Sequence, residues 1–332
     1  MASHGGGESF FVRVFRDRMK VKFWGVRGSI PTPLTQQQLK SRIAAAVARI
    51  RPSDLESAES REAFLAKLPP YIFGTVGGNT TCLSIHAENT PLIIIDAGSG
   101  IRELAAMVNQ QTRKIRDFHI FFTHFHWDHL QGLPFFSPAG YSKDSTLYFY
   151  SPKDNLEEII RGQMVPPYFP VDLDAMASQK RYIHLKTPVS RLGGVEIHWK
   201  NMRHPGGSVA YRMSHNGRSM IFSTDTELSP EDFKRTPENS RFFENTELLI
   251  LDSQYTLGEA IEKYDWGHTS HSMAVDFAAE WNIKTLVLFH HEPLYDDRKI
   301  YRMLNSAEWY RARLGKKEFR VLLAVEGMEL DI

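Results

Sequence analysis

Thr123-His124-Phe125-His126-Trp127-Asp128-His129 places four metal-ligand side chains within six residues, directly after the apolar run Ile120 to Phe122. Imidazole and carboxylate groups cannot be packed dry without partners, because each loses hydration that something must replace. Together they suit Zn²⁺ and other first-row ions. His124 and His126 are two apart, so on an extended segment they point to the same side. Asp128 and His129 then aim at a second ion once the chain bends. The fold must therefore let a strand leave its sheet and turn with these groups facing one place.

Other short apolar runs end in the same manner. Val21 to Trp24, Leu92 to Ile95, Met220 to Phe222, Leu248 to Leu251 and Leu286 to Phe289 are each followed within a residue or two by Gly, Asp, His, Ser or Thr. Their β-branched and aromatic content reads as strands. Helical patterns cover 100 to 110, 272 to 281 and 298 to 313, while 195–199, 208–213 and 219–222 follow one another closely. This mixture predicts sheets with helices outside, not a plain alternation of strand and helix. The length of 332 residues fits two domains or one large α/β domain with insertions. We read residues 1–19 as an N-terminal extension and 20–332 as one domain, interrupted at about 34–68 and 152–180. The first insertion reads as two helices broken at Pro52–Ser53. The second runs from a short helix into the irregular Pro166-Pro167-Tyr168-Phe169-Pro170.

Composition excludes several classes of function. Lys plus Arg number 40 against 39 Asp plus Glu, so the chain lacks the basic excess of a long nucleic-acid binder. The 34–68 insertion carries six basic and four acidic residues, which is a solvated helical face rather than a polyanion clamp. No run of 18 apolar residues and no signal-peptide pattern is present, so neither a membrane span nor secretion is expected. One cysteine, Cys82, rules out an intrachain disulfide and suits a cytoplasmic protein.

The remaining ligands are sought at strand ends, where rigid elements hold metal geometry. His204 lies between strand-like runs, Asp225 follows Met220 to Thr224, and His290 ends Thr285 to Phe289. Each alone reads as an ordinary loop or turn residue. With the 124–129 segment they complete a set for two ions, with one carboxylate shared.

These residues, with Leu92-Ile-Ile-Ile-Asp-Ala-Gly98 before them, resemble the metallo-β-lactamase-fold hydrolases in order and in position, from about Lys20 to Gly327. The resemblance implies an α/β (α+β) fold, a four-layer αββα sandwich with a helical insertion. It also implies two divalent ions, with Zn²⁺ expected ahead of Mn²⁺ or Fe. His124, His126 and His204 would hold the first, Asp128, His129 and His290 the second, and Asp225 would bridge. Asp96 would orient the ligand loop without being a ligand. A homodimer is a further expectation from the family.

Trp266-Gly267-His268-Thr269-Ser270 resembles the Gly-His-Ser/Thr motif of the family's phosphodiesterase branch, which includes ribonuclease Z and phosphoribosyl cyclic phosphodiesterase. There the histidine donates a proton beside the metals. His268 is the candidate for that role, with Asp128 and Asp225 as catalytic ligands. His268 also reads as a partner of a helix N-terminus, and His271 ranks second. Phe23 to Pro31 and Gly77 to Cys82 are similar to signatures of a bacterial group near this branch. Their glycines suit either a phosphate cradle or a hairpin turn. No long basic arm for transfer RNA is visible, so the expected substrate is a small phosphodiester, cyclic forms included. Arg27, Arg203 and Arg212 are candidates to hold a remote anionic group, and Trp127, Tyr168 and Phe169 to stack on a ring. Thiolester or lactone hydrolysis, transfer RNA 3′-processing, and nucleotide binding by a degenerate site are the alternatives.

Overall fold

The computed structural model describes residues 18–110, 115–137, 139–315 and 318–332. The expected N-terminal extension lies outside the described residues up to residue 17. Fourteen strands are present among the described residues. Those of the first half are β1 Met19–Gly25, β2 Cys82–Ala87, β3 Leu92–Ile95, β4 Asp117–Phe121, β5 Thr146–Ser151 and β6 Gln179–His184. The second half supplies β7 Val189–Leu192, β8 Val195–Met202, β9 Ser208–His215, β10 Arg218–Ser223, β11 Leu248–Asp252, β12 Thr285–Phe289, β13 Arg320–Leu323 and β14 Glu329–Asp331. They form two seven-stranded sheets, ordered β14-β1-β2-β3-β4-β5-β6 and β13-β12-β11-β10-β9-β8-β7. In each sheet one half is antiparallel, and the half from β3 to β6 or from β10 to β13 is parallel.

Strand periodicity accounts for the layering. Side chains alternate between faces, so a strand covered on both sides must be apolar throughout. Ile93 and Ile95 enter the core between the sheets, whereas Ile94 faces the outer layer. Leu248 and Ile250 likewise point between the sheets, and Leu249 and Leu251 point outward. Phe23, Phe121, Tyr211, Phe222 and Phe289 fill the space between the sheets. The helix Ile101–Gln110 covers the first sheet with Ile101 and Leu104. The helices His271–Glu280 and Asp297–Arg311 cover the second with Phe277, Ala278, Ile300 and Met303. The result is the expected αββα sandwich.

The first insertion forms helices Gln36–Val47 and Ala58–Lys67 around a 3₁₀ turn at Pro52–Leu55, and none of these three elements buries a residue. Thr35 and Gln38 close a capping box at its start. The second insertion is shorter than its composition suggests. Gln179 and Lys180 already pair with Thr146 and Leu147 as the edge strand β6, whose mixed polar and aromatic sequence shows no apolar run. No helix among the described residues is long and apolar enough to cross a membrane.

Candidate metal centre

The parallel strands of both sheets end at one edge of the sandwich, and the candidate ligands sit just past those ends. Asp96 follows β3, the 124–129 segment follows β4, Asp225 follows β10 and His290 follows β12. His204 lies in the turn between β8 and β9. Asp96, Asp225 and His290 adopt the left-handed backbone region, with φ of 60°, 49° and 64°. That conformation is costly for a residue with a side chain and concentrates at functional sites. It turns the chain sharply as the strand ends.

Two clusters result. His124, His126, His204 and Asp225 bring ligand-type atoms within 4.8 Å of one another, and so do Asp128, His129, Asp225 and His290. Asp225 belongs to both. Its carboxylate oxygens lie 3.1 Å from His129 Nε2, 3.3 Å from His290 Nε2 and 3.7 Å from both His124 and His204 Nε2. All seven residues proposed from the sequence are thus brought together. Most of the arrangement is buried, but His204 is half-buried and His126 exposed, so it opens to solvent on the side of the first cluster.

The imidazoles are held from behind. His129 Nδ1 contacts Asp96 Oδ2 at 2.8 Å, His204 Nδ1 contacts the Gly267 carbonyl at 3.0 Å, and His124 and His290 Nδ1 reach the hydroxyls of Thr123 and Thr224 at 3.1 Å. Each ring therefore presents Nε2 inward, as a metal-binding histidine does. Asp96 also accepts from the Thr123 amide and hydroxyl, both at 2.8 Å, which fixes the start of the 124–129 segment. The Ser29 amide donates to Asp128 Oδ2 at 2.9 Å. This contact was not legible in the sequence, because β1 and the 124–129 segment are far apart along the chain.

The donor set fits a cation. His124 Nε2 and His129 Nε2 are buried without a hydrogen-bond partner, although carboxylate oxygens lie near. An orphaned buried nitrogen is costly unless something accepts its lone pair. Burial pushes the pKa of His124, His126 and His290 down, favouring the neutral ring that binds metal. Burial opposes ionisation of Asp225, but the surrounding histidines, His290 foremost, hold its carboxyl well below the usual range.

His268 stands beside both clusters. Its ring lies 5.1 Å from that of His290 and 5.3 Å from that of His204. Nδ1 meets Asp252 Oδ2 at 2.7 Å, and the other Asp252 oxygen accepts the Thr269 amide at 3.1 Å. Burial disfavours the charged ring, yet Asp252 outweighs it and pushes the His268 pKa up to about 9. Asp252, the last residue of β11, was missed as a site residue. The signal was present, since Leu248 to Leu251 is one more apolar run ending in a carboxylate.

Other expectations are corrected. His271 faces away from the clusters, with its nitrogens at the Tyr255 carbonyl and the Ser306 hydroxyl. Arg27 is 3% exposed and bonds the carbonyls of Gly77, Glu292 and Tyr295 and the Asp297 carboxylate, so it is not free to hold a substrate. Arg212 is likewise spent on the Phe242 carbonyl, Thr246 and Ser219. Arg203 is more open but pairs with Asp265 and lies 4.7 Å over the Tyr264 ring. The Gly77–Gly78 turn is no open phosphate cradle, because Glu326 takes the Asn79 amide and side chain. Phe169 packs against Phe135 at 6.2 Å, while Trp127 and Tyr168 are 77% and 82% exposed.

Residues 92–291, well over half of the chain, match the family model described as the beta-lactamase superfamily domain. The ribonuclease Z of Sulfurisphaera tokodaii is 26% identical over 285 residues, covering 72% of this chain and 92% of that protein. The metallo-beta-lactamase fold protein YhfI from Bacillus subtilis superposes with a TM-score of 0.63 at 15% identity, over 95% of this chain and all of the other. Human tRNase Z, short form, superposes with a TM-score of 0.57 at 17% identity, over 94% and 98% of the two chains. The fold implies divalent metal binding, and the two His/Asp clusters are placed to provide it. The chain belongs to the beta-lactamase superfamily and is a hydrolase of the metallo-β-lactamase fold.

Proposed function

We propose that the protein is a dinuclear-metal phosphodiesterase acting on a small phosphodiester. His124, His126 and His204 would hold one ion, Asp128, His129 and His290 the other, and Asp225 would bridge. When bound, such ions acidify water and neutralise charge on phosphate oxygens. Zn²⁺ suits the imidazole-rich set, and Mn²⁺ or Fe is compatible with it.

The observation that carries the reading is the Asp252–His268 pair set against both clusters. A thiolester hydrolase needs the ions but has little use for a positioned proton donor beside them, since a thiolate departs unprotonated. An alkyl phosphodiester does need one. As water's oxygen forms the new P–O bond and the opposite P–O bond breaks, His268 gives its proton to the departing alkoxide, the proton shed by the water goes to solvent, and His268 is reprotonated from solvent. Asp252 holds the imidazole at Nδ1, so the ring cannot turn away. The exposed Trp127, between His126 and Asp128 in sequence, offers a flat apolar face to a ring of the substrate.

Cleavage within an RNA chain is the second reading, favoured by the relatives named ribonuclease Z. Against it stand the near-neutral charge and an insertion with an excess of only two basic residues. A panel of bis-p-nitrophenyl phosphate, cyclic and linear alkyl phosphodiesters, a thiolester and a lactone decides the reaction class. Turnover of the phosphodiesters is expected. Turnover of the thiolester or lactone alone overturns the reading.

A further inference from the structure

Glu227 is a buried carboxylate, 7% exposed, that the reaction proposed above does not use. Burying a carboxylate is expensive unless its oxygens are satisfied, so its partners indicate what it is for. Oε2 accepts the Gly267 amide at 2.9 Å, and Oε1 accepts the Asp265 amide at 3.2 Å. Arg203 Nη1 lies 3.5 Å from Oε1, and the Glu227 amide donates to the Arg203 carbonyl at 2.9 Å. One side chain thus ties together the residue before His204 and the turn before His268.

Gly267 is the meeting point. Its amide is held by Glu227, while its carbonyl accepts His204 Nδ1 at 3.0 Å. Its φ of 89° belongs to the region that favours glycine, and Asp265, at 68°, shares it. A Cβ at Gly267 would lie 2.2 Å from His204 Nδ1 and 2.4 Å from Pro205 Cδ. The neighbouring residues stitch the same two segments. Thr269 Oγ1 donates to the Thr226 carbonyl and accepts the Leu228 amide.

We infer that Glu227 is a positioning residue that keeps His204 and His268 in register through the Gly267 peptide. The inference rests on the phosphodiesterase reading only for the part played by His268. By holding the peptide that enters Gly267, Glu227 sets the backbone from which the Gly267 carbonyl of the next peptide accepts His204 Nδ1, which leaves His204 Nε2 toward the first cluster. The same peptide begins the turn that delivers His268 to Asp252. The proton donor and one ligand of the first ion therefore cannot drift apart independently.

Glu227→Gln keeps the size of the side chain but leaves one oxygen and puts an NH₂ against a backbone N–H. Full-length protein loaded with Zn²⁺ is titrated with a chromophoric chelator, and hydrolysis of an alkyl and a p-nitrophenyl phosphodiester is compared. In Glu227→Gln one of the two ions should bind about 10- to 100-fold more weakly, the size of effect expected for a residue behind a ligand, with the other unchanged. The alkyl substrate should lose more rate than the p-nitrophenyl one, and Glu227→Asp, which keeps both oxygens, should recover part of both losses. A carboxylate that only braces the fold would lower the melting temperature and leave both ratios at wild-type values. That result overturns the inference. The chelator arm needs no substrate, so it still tests the grip on His204 if no phosphodiester is cleaved. Should Glu227→Gln fail to fold, Gly267→Ala is read in the same assays. Selective weakening of one ion then supports the coupling, and unchanged affinities refute it.

Discussion

At the scale of single residues, Asp225 and His268 make opposite predictions. Asp225 is the one carboxylate common to both clusters, with oxygens 3.1 to 3.7 Å from four different imidazoles. Asp225→Ala should therefore cost the protein both ions after dialysis, whereas His204→Ala should cost mainly one. Elemental analysis reads the stoichiometry, and loss of a single ion in both variants would contradict a bridging Asp225. His268→Ala should keep both ions and the fold but lose about 10²- to 10⁴-fold in rate on an alkyl phosphodiester, the usual contribution of a positioned proton donor. The loss should shrink on p-nitrophenyl substrates, whose leaving group departs as the anion. Rates across leaving groups of graded pKa check this, and equal losses on all of them remove the assignment.

At the scale of elements, the loop after β1 links the surface insertion to the second cluster. The Ser29 amide holds Asp128, and the Gly28 backbone lies so close to His290 that an added Cβ would come within 2.7 Å of its ring. Arg27 fixes this loop by bonding three carbonyls and Asp297, and Arg42 from the helix Gln36–Val47 reaches the other Asp297 oxygen at 2.6 Å. Without Arg27 three buried carbonyls and one Asp297 oxygen lose their donor, and although Arg42 still pairs Asp297, each buried group left unsatisfied costs about 1–3 kcal/mol. Arg27→Ala should therefore unfold at markedly lower denaturant concentration, in place of the simple rise in KM expected of a substrate-binding arginine. Equilibrium unfolding in urea distinguishes the two. Gly28→Ala should be milder for the fold while weakening the ion held by Asp128 and His290, which chelator titration reads.

At the scale of the whole molecule, the question is whether the 34–68 insertion grips a polymer. Its helices bury nothing and its charge is nearly balanced, so deleting it should lower stability through the lost Arg42–Asp297 contact without abolishing a salt-dependent affinity. Phosphate contacts along a polymer make binding fall steeply with salt. Filter binding of transfer RNA between 50 and 200 mM salt, roughly the range over which such contacts weaken by orders of magnitude, should show weak binding by the intact chain. Tight, salt-sensitive binding lost with the insertion would restore the RNA-cleavage reading. The donor types and the ends of the strands that carry them were legible along the chain. Apolar runs such as Leu92 to Ile95 and Leu248 to Leu251 must be buried on both faces, and the 124–129 segment gathers side chains of the type that hold cations. Helices expected at 100–110, 272–281 and 298–313 from periodicity begin at Ile101, His271 and Asp297. Which charged groups are free depends on contacts made across the fold. Arg27, Arg212 and the Asn79 amide carry the same chemistry as groups that bind substrate, but their partners lie tens to hundreds of residues away. Local pattern cannot report contacts of that separation. For the same reason Glu227, a turn glutamate along the chain, gains its significance only when the fold brings it against the turn before His268, whereas Asp252 is marked along the chain by the apolar run it ends.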